Sequence, residues 1–208
     1  MKNLLKICVV LLLISCNSDE NRPFIPENYE WQTFTLNFES SGEKDITGSN
    51  LTRGIIATYQ GFGQWNLNLH SGSTTAVIND TLFLVRGNTY RYSTLSYAKE
   101  FPSGKIVDMH SIIYQRHELY QFFFLGDAFL GDKAPLKFEY GDSNGKRIGL
   151  NGLLSIKADA KPDTVNFSLI LRANLNKGFP GTADPHMVEP SFAGGIERMN
   201  LSFPVVIK

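Results

Sequence analysis

From Trp31 onward, apolar side chains return at every second position, and that period commits the chain to sheet. Trp31-Gln32-Thr33-Phe34-Thr35-Leu36-Asn37-Phe38 places Phe34, Leu36 and Phe38 on one face of an extended segment. Successive side chains of a strand point to opposite sides, so one face is half-buried and the other is wet. Residues 40–50 are polar and contain glycine, which predicts a loop. The alternation resumes over residues 55–59, 65–69, 76–78, 81–85 and 89–97, with Gly61-Phe62-Gly63 as a break and Gly87-Asn88 as a turn. Residues 121–125 are apolar almost throughout, the mark of a buried strand. Further strands are expected over residues 136–140, 150–158, 164–173 and 199–207. Short strands at this spacing, without helix–strand alternation or internal repeats, predict an all-β fold. The expected fold is an antiparallel β-sandwich over residues 31–208. One stretch departs from the period. Residues 108–119 suit a short helix with Asp108 near its N-terminus, although the adjacent Ile112 and Ile113 would tolerate a strand.

The N-terminus has a different character. Lys2 and Lys6 precede an apolar run over residues 7–14. That run is far shorter than the roughly 20 residues of a membrane-spanning helix. Residues 1–15 therefore read as a signal peptide. The run ends in Leu13-Ile14-Ser15-Cys16, which resembles the bacterial lipobox. The resemblance implies cleavage before Cys16 and acylation of Cys16 by a thioether-linked diacylglycerol and an N-acyl chain such as palmitate. Three acyl chains anchor far more firmly than one. The expected location is the outer membrane, in its periplasmic or its cell-surface leaflet. Cys8 lies in the removed segment, so no disulfide is expected. Residues 16–30 read as the lipidated cysteine and a flexible tether. Asp19-Glu20 loosely resembles the surface-export signal of Bacteroidota lipoproteins; an ordinary solvated linker is the other reading.

Charge and motif then narrow the function. Twenty basic residues balance twenty acidic ones, which argues against nucleic-acid binding. The chain has no nucleophile elbow, no zinc-protease motif and no phosphate-binding loop, so a non-enzyme is expected. His110, Tyr114 and His117 stand at i, i+4 and i+7, one face of a helix. That face spans about 10 Å, too far for one small ion and suited to a planar ligand such as haem. The alternative is a pair of half-exposed surface histidines. His186 and Met187 lie in Asp184-Pro185-His186-Met187-Val188-Glu189, within a glycine- and proline-containing loop over residues 177–195. Imidazole, thioether and carboxylates suit copper or a similar metal; a mobile surface loop is the other reading. Asp142-Ser143-Asn144-Gly145 opens like a calcium loop, but Leu153 occupies the closing position, so a hairpin turn is expected.

Several stretches also resemble small Bacteroidota lipoproteins encoded beside TonB-dependent receptors, some of them labelled type 1 periplasmic-binding-fold superfamily. Leu84, Thr89 and Tyr90 match one family stretch, and residues 108–124, ending Tyr120-Gln121-Phe122-Phe123-Phe124, correspond to another. Asp142-Ser143-Asn144-Gly145-Lys146-Arg147-Ile148-Gly149-Leu150 and Phe203-Pro204-Val205-Val206-Ile207 match two more. The family's acidic helix is stripped of acids here, with Ser111, Ile112, Arg116 and Leu119 at those positions. The resemblance implies a lipid-anchored binding protein accessory to TonB-dependent uptake of a metal ion or haem. A structural or adhesive lipoprotein whose partner is another protein is the alternative.

Overall fold

The computed structural model of the chain describes residues 31–44, 50–59, 65–71 and 82–208. The signal segment, Cys16, the tether, the break at residues 61–63 and the expected strand at residues 76–78 lie outside the described residues. Eleven strands are described: β1 (Trp31–Lys44), β2 (Asn50–Tyr59), β3 (Trp65–Ser71), β4 (Leu82–Leu84), β5 (Thr89–Glu100), β6 (Ile106–Asp108), β7 (Tyr120–Leu125), β8 (Leu136–Tyr140), β9 (Asn151–Ile156), β10 (Asp163–Ala173) and β11 (Ile196–Ile207). A single α-helix among the described residues, α1 (Met109–Gln115), sits between β6 and β7.

The strands form two packed sheets, and the fold is an all-β sandwich. The larger sheet runs β3-β2-β1-β5-β9-β8, with β6 also paired to β5; the smaller runs β4-β11-β10-β7. Pairing is antiparallel except that β4 lies parallel to β11, a departure from the wholly antiparallel expectation. The exception arises because β4 and β5 flank the Gly87 turn yet belong to opposite sheets.

Phe34, Leu36 and Phe38 are fully buried, as the period predicts. Phe38 meets Phe167 across the core at 6.2 Å, and Phe34 meets Phe122 at 5.7 Å. Phe122 is the ladder partner of Leu171 on β10. Moving back along β1 therefore means moving forward along β10, and the sheets lie alongside one another. The end where β1 begins is also the end where β10 finishes and β11 starts. β7 is buried on both faces. Phe122 and Phe124 point into the sandwich, while Phe123 and Leu125 pack beneath Leu175, Ala193, Phe179 and Met187. The segment over residues 177–195 thus folds onto the outside of the smaller sheet. Burying side chains such as Phe123 and Leu125 is worth about 2 kcal/mol each.

Several strands differ in extent from expectation, with β2, β5 and β11 longer, β9 shorter and β6 unforeseen, and the bounds of β1 and of the helix differ for identifiable reasons. β1 continues to Lys44, because a bulge absorbs the polar run: the Ser40 hydroxyl accepts from the Gly42 and Glu43 N–H groups. Glu43 then pairs through both oxygens with Arg53 on β2, at 2.7 and 2.8 Å. The helix is shorter than residues 108–119. Asp108 caps it by accepting from the Ser111 N–H, but it ends at Gln115, and residues 116–119 form the turn into β7.

Candidate functional site

The helix places only part of the expected ligand face. His110 and Tyr114 lie one turn apart on α1, whose buried residue is Ile113. His117 lies beyond the helix, in the turn before β7, so the three residues do not share a helical face. Tyr114 is committed to a neighbour. Its ring carries the Lys146 ammonium 4.4 Å from the centroid, and its hydroxyl lies 3.3 Å from that of Ser143. The helix is thereby held against the turn between β8 and β9.

His186, expected as a ligand, forms a bridge within the fold. Its Nδ1 donates to the Phe124 carbonyl at 2.9 Å, and its Nε2 accepts from the Phe138 N–H at 3.0 Å. Phe124 lies on β7 and Phe138 on β8, the edge strands of the two sheets on this side. Both imidazole nitrogens are therefore consumed in joining one sheet edge to the other. The ring also stacks on Phe129, 4.8 Å between centroids. Met187 is likewise packed, against the cluster of Phe123, Leu125, Leu175 and Ala193. Among the described residues, no three His, Cys, Asp or Glu side chains are grouped to hold a metal ion. Cys16 lies outside the described residues.

What the fold does gather is a polar seam along the same two edges. Asp142 accepts four backbone N–H groups: Ile148 and Gly149 on Oδ2, Leu150 and Asn151 on Oδ1. This confirms a turn rather than a calcium loop, since both carboxylate oxygens face the chain's own backbone. Burial pushes the Asp142 carboxyl up, and those four donors oppose the push. The Tyr140 hydroxyl donates to the Phe122 carbonyl, and burial holds its proton well above the usual phenol range. Gln121 donates through Nε2 to Tyr140 and to the Thr182 carbonyl, while its buried Oε1 has no partner. Lys177 donates to the Arg147 carbonyl at 2.7 Å. Burial and then the Arg147 charge bring its amine down to about 8.

These groups satisfy sheet edges that would otherwise offer bare N–H and C=O groups for pairing. Sequence reading missed Gln121, Tyr140 and Lys177. The run from Asp142 to Leu150 was the available signal, since it pairs an Asx turn with a second glycine at Gly149.

Outside the seam, the long segment presents apolar side chains to solvent. Val188, Phe192 and Ile196 are 65%, 70% and 52% exposed. They stand on an anchored base: Ala193 is buried, the Asn176 N–H donates to the Ala193 carbonyl, and the Arg172 guanidinium donates to the Gly194 and Gly195 carbonyls. Comparison with protein-family models, curated proteins and solved structures finds no match to the chain.

Proposed function

We propose that the chain is a lipid-anchored envelope protein without catalytic activity that acts by holding another protein. The observation that supports this most directly is the exposed set of Val188, Phe192 and Ile196 on a segment whose base is locked to the sandwich. Apolar side chains on an ordered scaffold suit protein contact, since little conformational freedom is lost on binding. The lipobox-like end of the apolar run supports anchoring through Cys16. The resemblance to lipoproteins found beside TonB-dependent receptors suggests that the partner is a receptor of that kind in the outer membrane. Capture of a metal ion or haem for such a receptor has less support. Of the five residues expected to form that site, His186 and Met187 are packed into the fold and His117 lies off the helix.

A photo-crosslinking residue at position 192, in cells making the full chain, tests the reading. The expected result is one dominant adduct with an integral outer-membrane protein, weakened by Val188→Asp. No adduct at 192, or an adduct indifferent to Val188→Asp, would defeat it.

A further inference from the structure

We propose that the end of the larger sheet where the tether joins the domain rests on the bilayer surface, with Trp31 and Ile106 touching lipid. The inference depends on acylation of Cys16. Trp31 opens β1 and lies opposite Glu100 on β5, and Glu100 lies opposite Ile106 on β6. Residues directly opposite in antiparallel pairs share a face, so Trp31 and Ile106 flank Glu100 on the outer side of the sheet. They are 44% and 67% exposed. Lys105, also exposed, precedes Ile106 at the tip of the β5–β6 hairpin.

The same end holds Tyr59 and Trp65, paired across β2 and β3 with ring centroids 5.3 Å apart. Tyr59 lies opposite the buried Gln32, next to Trp31, so this pair is on the inner side of the sheet, where Trp65 packs against the core. Both tryptophans of the chain thus stand at the end where the chain arrives from Cys16. Trp and Tyr favour the level of lipid headgroups, where the ring is apolar and its N–H or O–H stays wet. A lysine beside an exposed isoleucine suits an anionic headgroup layer.

Trp31 follows Cys16 by fifteen positions, which is at most about 50 Å of extended chain. An acylated Cys16 therefore keeps this end within about 50 Å of the bilayer. A weak surface suffices there, because docking of an already anchored chain is an intramolecular event.

The test uses full-length acylated protein with Trp65→Phe, leaving Trp31 as the single tryptophan. It is placed in phosphatidylethanolamine–phosphatidylglycerol vesicles with plain or brominated acyl chains. The mass at Cys16 and flotation with vesicles are measured first. Docking predicts at least a twofold drop of Trp31 fluorescence with brominated lipid, substantially relieved by Ile106→Asp at unchanged circular dichroism. Acylated protein that floats but fluoresces equally in both vesicles overturns the docking alone. A blue shift that grows with protein density and ignores bromine assigns this end to a second copy and also overturns it. An unacylated Cys16 overturns the anchoring and the inference together.

Discussion

His186 shows how much one side chain can hold when both of its nitrogens face backbone. Its donor and acceptor contacts join β7 to β8, and among the described residues no other side chain bonds both the Phe124 carbonyl and the Phe138 N–H. Each buried polar group left unpaired costs about 1–3 kcal/mol. His186→Ala is therefore expected to lower stability by about 3 kcal/mol, read as a shift of the urea midpoint in metal-free buffer. A ligand role would leave that midpoint nearly unchanged without metal. Lys177 makes a pH-dependent contribution of opposite character. Its amine titrates at about 8 in the fold, against 10.5 for an ordinary lysine. Between those values the unfolded chain holds a proton that the native chain has released, so stability rises with pH across the window. Below about pH 8 the penalty on the buried charge is fully present. Comparing urea midpoints of wild type and Lys177→Met from pH 7 to 10 should show the rise in wild type and its loss in the variant. Parallel curves would mean that the amine is not depressed.

At the scale of elements, the β8–β9 connection depends on backbone that only glycine adopts readily. Gly149 has φ +86°, and a methyl group there would sit 2.9 Å from the Phe122 Cβ. Positive φ and overpacking act together, so Gly149→Ala is expected to cost about 3 kcal/mol. For a domain of this size that is a fall of roughly 10 °C in Tm; a fall under 2 °C would show that the turn relaxes freely. Asp142-Ser143-Asn144-Gly145 announces this turn in sequence, and it is a turn. What the sequence could not display is that Asp142 gathers the N–H groups of residues 148–151, because that depends on how the following chain curls back. Strand faces were legible wherever the period was local. Phe34, Leu36 and Phe38 face inward, and the unbroken apolar run of β7 matches burial on both sides. The candidate site was far less legible. His186 has its partners 48 and 62 residues away, so its neighbourhood resembled a metal site while its contacts were those of a strut. α1 was placed correctly but drawn too long, because residues 116–119 are needed to aim the chain into β7.

For the molecule as a whole, the alignment of the sheets links the two proposals. β1 begins at the same end of the sandwich where β11 starts with Ile196. Ile196 thus belongs to the half of the domain nearest the anchor, which favours a partner embedded in the membrane over one reached from solution. Docking at Trp31 and Ile106 would fix the height of Val188 and Phe192 above the lipid, independent of tether length. Without docking, the anchored domain would sample a volume growing as about the 3/2 power of tether length. Doubling the tether with a Gly/Ser insert should therefore leave the crosslink yield at position 192 unchanged in the otherwise native chain. The same insert combined with Trp31→Ser and Ile106→Ser should lower it about threefold. Equal losses with and without those substitutions would show that the end does not dock. No loss in the combined variant would show that the partner is not held at the membrane. The pair of outcomes separates where the domain sits from what it holds.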